Sequence, residues 1–170
     1  MNENDSKYNE ACTAYEQKDY DKAYELFYEL ALESDVSCQM NVANMLMHGL
    51  GVEQNTDRAN EWYEQAAINE DKEAQYIHGW NCIKNSEEEG YKYLKLSSEA
   101  GFLDATYDLA GLYAGKKEMK NASVLYEKAV LLGKKDALGP LFYSKKQVEG
   151  WFKAIIYMMK NLSNFTKGVS

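Results

Sequence analysis

The residue types that could do chemistry in this chain are few. Two histidines, His48 and His78, stand thirty residues apart on different predicted helices. A metal site would need both of them plus a carboxylate, gathered by the fold. The plainer expectation is one histidine at a rim and one packed inside. Three cysteines, Cys12, Cys38 and Cys82, form an odd set with neither metal-ligand nor redox spacing. Reduced thiols in a cytoplasm are their simplest account. Glu87-Glu88-Glu89 opens a predicted helix, where carboxylates favour the positive end of the dipole, a structural part with no acid–base role. No glycine-rich phosphate loop, nucleophile elbow or His-Glu-x-x-His pair is present. The expectation is no enzyme: no catalytic residue, no cofactor and no metal.

The elements that would position any site follow from a recurrence. Ala23, Ala59, Gly90 and Ala122 are anchors spaced 36, 31 and 32 residues apart. Three and four positions after each come Leu26/Phe27, Trp62/Tyr63, Tyr93/Leu94 and Leu125/Tyr126. Eight positions on are Ala31, Ala67, Ser98 and Val130, and fifteen on are Cys38, Ala74, Ala105 and Ala137. A period of thirty-odd residues means stacked helix pairs, an architecture that usually binds rather than catalyses. Ala59, Trp62, Tyr63, Ala66 and Ala67 make one helical face, with Thr56 or Asp57 as its N-cap. The following segment turns Ala74, Ile77, His78 and Gly79 inward.

The same reading predicts helices over 5–17, 20–33, 36–48, 56–69, 72–84, 87–100, 104–114, 118–132, 135–146 and 147–161. The single proline, Pro140, suits long helices. Gly49, Gly51, Gly101, Gly115 and Gly133 fall at segment ends as caps. The class is all-α: one domain over 1–170, with repeats over about 5–35, 36–70, 71–101, 102–133 and 134–146 and a cap over 147–162. In that cap Val148, Trp151, Phe152, Ile155, Ile156 and Met159 form an apolar stripe. It either seals the last repeat or serves as an amphipathic partner-binding or membrane-surface helix.

Net charge is −8, unevenly placed. Residues 1–100 hold 21 Asp/Glu against 8 Lys/Arg, whereas residues 101–170 hold 6 against 11. Such a field repels nucleic acid and anionic lipid and steers basic partners to the N-terminal two-thirds; it also simply keeps a surface solvated. No apolar run approaches the roughly 20 residues of a membrane span, and the polar start MNENDSKYNEA has no secretory h-region. A cytoplasmic protein is expected.

The stretch Gly49 to Ala67, GLGVEQNTDRANEWYEQAA, resembles the Sel1-like repeat, a variant of the tetratricopeptide repeat. The resemblance rests on the Gly-x-Gly-Val turn, the Ala-x-x-Trp-Tyr-x-x-Ala-Ala helix and the later small residue, and spans about residues 7–143. In the later units Gly90 and Ser97/Ser98 replace the usual alanines, and the glycine turn shrinks to Ala114-Gly115. The resemblance implies a right-handed α/α solenoid of four to five helix pairs with a C-terminal capping helix, and an adaptor-like function. It also brings precedents in host interaction, envelope processes and toxin neutralisation. The cysteine pairs of secreted, enzyme-like relatives are missing here.

In such stacks the first helix of each pair lines the concave face. In this register Tyr8, Met40, Tyr76 and Tyr107 share one column; Cys12, Asn44, Trp80, Gly111 and Tyr143 lie one turn on; Tyr15, Met47, Ile83 and Ala114 form a third. Tyr8, Met40, Asn44, Met47, Tyr76, Trp80, Tyr107 and Tyr143 are the partner-binding candidates, because aromatics and thioethers make protein-binding hot spots. The competing reading packs these rings together as additional core. The expected partner is another protein, with an adaptor role and neutralisation of a basic toxin domain such as a nuclease both open. Nucleic acid and membrane are not expected partners. Monomer and weak dimer both fit.

Overall fold

A computed structural model describes residues 3–150 and 153–160, and among them helices are the regular structure, with no strand. The helices are α1 (Glu3–Glu16), α2 (Tyr20–Leu32), α3 (Val36–His48), α4 (Thr56–Ile68), α5 (Lys72–Ile83), α6 (Glu87–Glu99), α7 (Leu103–Gly115), α8 (Met119–Leu131) and α9 (Leu138–Glu149). A 3-10 turn over Lys135–Ala137 leads into α9, and residues 153–160 are again helical, here α10. None of the described helices is long and apolar enough to cross a membrane. The chain forms two compact units that divide at Leu96/Ser97, within α6.

One turn recurs at the helix ends. At the end of α2, the Ser34 N–H donates to Ala31 O and the Asp35 N–H to Leu30 O, with Ser34 left-handed at φ 68°. This is the Schellman arrangement, which satisfies the last carbonyls of the helix. Asp35 then caps the next helix, accepting from the Cys38 N–H at 2.8 Å. Lys18-Asp19 and Glu70-Asp71 repeat it, with caps onto the N–H groups of Lys22 and Ala74. One residue pair thus ends a helix and starts its neighbour, which keeps the turn tight. A left-handed non-glycine costs about 1–2 kcal/mol, and an Asp cap returns about 1 kcal/mol. Lys117-Glu118 makes the same turn after α7.

The turn between α3 and α4 is longer. Gly49 ends α3 in the left-handed region, and Gly51 (φ 66°) lies so close to the Tyr20 carbonyl that an added methyl would overlap it. The Gly-x-Gly-Val signature is therefore a packing requirement. The cap of α4 is Asn55, which accepts from the Arg58 N–H at 3.0 Å, rather than Thr56 or Asp57. Gly115 likewise falls inside α7, and Lys117 takes the left-handed position expected of it.

In the first unit small residues of α1 to α4 surround Phe27, Leu30, Val42, Met45, Leu46 and Tyr63, all buried. Ala66, Ala67 and Ala74 make a second patch, covered by Met40 and Tyr93. Alanines permit close helix approach and the large residues fill the grooves between. Ala74, His78 and Gly79 are buried and Ile77 half-buried, the inward set read from the sequence. In the second unit Tyr126, Val130 and Leu141 pack with Ala110, Ala122, Ala129 and Ala137.

The C-terminal part differs from expectation. Residues 147–149 complete α9, and Gly150 (φ 86°) breaks the helix there. On α10, Ala154 is buried while Ile155, Ile156 and Met159 are exposed. Those members of the stripe therefore do not seal a core; Trp151 and Phe152 lie outside the described residues. α10 meets the core of the second unit through Tyr157, whose ring centroid lies 4.0 Å from the Lys145 ammonium, itself 3.1 Å from Glu127.

Candidate functional site

The first helices of the pairs in the first unit are α1, α3 and α5. Tyr8 on α1 is half-buried, edge-on to Phe27 with centroids 5.9 Å apart. Burial, with the neighbouring Cys12, raises its hydroxyl above the ordinary tyrosine value. On α3, Met40 and Met47 are half-buried against the core. Asn44 is exposed, yet its side-chain carbonyl accepts from the Tyr63 hydroxyl at 2.7 Å. On α5, Tyr76 is half-buried, and Trp80 is 37% exposed. These first helices thus carry supported rings and thioethers together with one open indole. Tyr15, assigned to the third column, is exposed and edge-on to Tyr20.

Tyr107 and Tyr143 belong to the second unit. Tyr107 is half-buried, edge-on to Tyr126 at 5.7 Å and beneath the Lys134 ammonium. Tyr143 is 54% exposed and lines a recess of about 790 Å³ with Lys117, Met119 and Val148.

Two groupings had no counterpart in the sequence reading. On the second helices, Tyr24 and Tyr28 stack at 5.7 Å, and Tyr28 meets Trp62 edge-on at 5.8 Å. Of the three rings only Trp62 belonged to the packing signature, and all three are only partly buried. The second grouping involves His78. It is buried and has Cys82 as its partner, with Nε2 3.3 Å from Sγ, while His48 is exposed. His-x-x-x-Cys, one helical turn, was the available signal. Glu89, from the first turn of α6, completes a cluster whose ligand atoms lie within 4.8 Å of one another. Burial, then Glu89 and Glu64, raise the Cys82 thiol above its ordinary value.

The Sel1 repeat family matches residues 14–35, 36–71 and 74–102, just over half of the chain. The chain belongs to the Sel1 repeat family. Solved structures share its fold. A Sel1 repeat protein from Oxalobacter formigenes superposes with a TM-score of 0.78 at 22% identity, over 92% of this chain and 70% of that one. The protective antigen c5321 of uropathogenic Escherichia coli, with its SLR fold, gives 0.73 at 24% identity, over 93% and 38% of the two chains. Immunity protein Pa5087 from Pseudomonas aeruginosa gives 0.59 at 20% identity, over 92% and 64%. No curated protein matches in sequence. In this Sel1 repeat chain the matched units cover α2 to α6 and hence Met40, Asn44, Met47, Tyr76 and Trp80.

Proposed function

We propose that this Sel1 repeat chain is a non-enzymatic protein-binding module of the adaptor or scaffold type, working in the cytoplasm. In the first unit its partner contacts Tyr8, Met40, Asn44, Met47, Tyr76 and Trp80. In the second unit Tyr107 and Tyr143 have the same part. The observation that carries this reading is Trp80: an indole 37% exposed on α5, on the same helix as Tyr76. Large rings already held by packing lose little entropy on binding, and methionines adapt to a partner's shape.

A second reading has its own support. The likeness to an immunity protein, with 21 acidic against 8 basic residues over positions 1–100, favours neutralisation of a basic toxin domain. Opposite charge would speed the encounter, and buried aromatics would slow release.

Affinity capture on the purified chain from its native host lysate tests both. Several unrelated partners support the adaptor, and a single basic toxin domain supports the immunity role. A captured basic partner should associate markedly more slowly as salt rises; a flat salt dependence would sink the steering idea.

A further inference from the structure

Glu89 stands three residues after Ser86, in the position where a capping-box carboxylate reaches back to the backbone N–H of its cap. Here that N–H donates instead to Cys82 O at 2.8 Å. The Glu89 side chain is thus left for the recess beside α5, where Glu64, His78, Asn81 and Cys82 are among the lining residues. Gly79 and Gly90 bring the two helices together: a Cβ on Gly90 would lie 2.8 Å from Gly79 O. His78 is fixed by its burial and by the Tyr93 ring, edge-on with centroids 4.5 Å apart.

We propose that His78 Nε2, Cys82 Sγ and a Glu89 carboxylate oxygen bind a thiophilic divalent cation of the zinc type. Tetrahedral zinc, with bonds of about 2.0 Å to nitrogen and 2.3 Å to sulfur, holds its N and S ligands about 3.5 Å apart. The observed 3.3 Å between His78 and Cys82 is close to that separation. Glu89 is exposed, with its carboxylate within 4.8 Å of both other ligand atoms. The recess, about 300 Å³, has room for a water as fourth ligand. Glu61 and Glu64 line it as well, so its field favours a cation. One nitrogen, one sulfur and one oxygen donor select zinc-like ions over the all-oxygen preference of calcium and magnesium. Bound there, the ion ties the last turn of α5 to the first turn of α6.

The test uses the full chain, reduced and stripped of metal by chelator, with Co2+ as a spectroscopic probe and Zn2+ as competitor. A single equivalent of Co2+ should produce tetrahedral visible bands and a thiolate charge-transfer band, which Zn2+ abolishes. Cys82→Ser should remove the charge-transfer band and weaken Zn2+ binding by about 100-fold or more. Glu89→Gln should weaken it less, and Cys12→Ser should leave it unchanged. Zn2+ should raise the melting temperature of the wild-type chain but not of Cys82→Ser. The absence of a charge-transfer band, or a band that survives Cys82→Ser, would overturn the proposal.

Discussion

The Tyr63 hydroxyl donates to the side-chain carbonyl of Asn44 at 2.7 Å, joining the second helix of a repeat to its first. Tyr63 is buried and Asn44 exposed, so the bond carries a core position out to the candidate binding face. Removing the hydroxyl in Tyr63→Phe should lower stability by about 1 kcal/mol, the usual net value of such a bond. Denaturant unfolding checks it. Asn44→Ala should cost at least as much, since it strands a part-buried hydroxyl; a neutral result for both would mean the bond contributes nothing.

Gly90 occupies the anchor position that Ala23, Ala59 and Ala122 hold elsewhere. Helix propensity alone would make Gly90→Ala stabilising by about 1 kcal/mol. Against this, the new methyl would press on the Gly79 carbonyl and on Ile83, and overpacking costs about 1–3 kcal/mol. The clash involves backbone, which cannot step aside, so a net loss of up to about 2 kcal/mol is expected in urea unfolding. A stabilised variant would show that α5 and α6 separate easily.

Much of this fold was legible from one regularity, the small-residue anchor with large residues three and four positions on. It located the helices because a helical face and a helix–helix groove both demand it. Turn chemistry was less legible. Gly49 and Gly51 announced their bend, but Lys18, Ser34, Glu70 and Lys117 take left-handed conformations that their residue types do not advertise. The candidate face was found by elimination, from residues the packing did not use. That logic gave Trp80 and Tyr143 as open positions, while Tyr8, Met40, Met47 and Tyr107 turned out half-buried. Partial burial depends on how neighbouring helices lean, which a repeat register does not contain. The His78–Cys82–Glu89 cluster escaped because the two histidines were weighed with each other, not with a thiol one turn away.

Alkaline pH should weaken the fold. Burial is the first cause that raises the Cys38 thiol far above its ordinary value, and the Tyr63 and Tyr126 hydroxyls are raised by burial too. In the unfolded chain the thiol ionises near its ordinary value of 9.0, whereas the folded chain holds the proton. The contribution is therefore complete below that pH and is lost as pH rises beyond it. Unfolding midpoints should be steady near neutral pH and fall above about pH 9, and Cys38→Ala should reduce the slope of the fall. A slope unchanged by that substitution would assign the effect to the tyrosines.

The most direct test of protein binding through the α5 face compares the wild-type chain with a Tyr76→Ala/Trp80→Ala variant. Affinity for the captured partner and thermal stability are measured side by side. Two aromatic anchors lost from a hot spot should weaken binding by at least about 100-fold, with stability reduced by no more than about 2 kcal/mol because both rings are only partly buried. Unchanged affinity with stability reduced by about 3–5 kcal/mol would make the rings core and contradict the account.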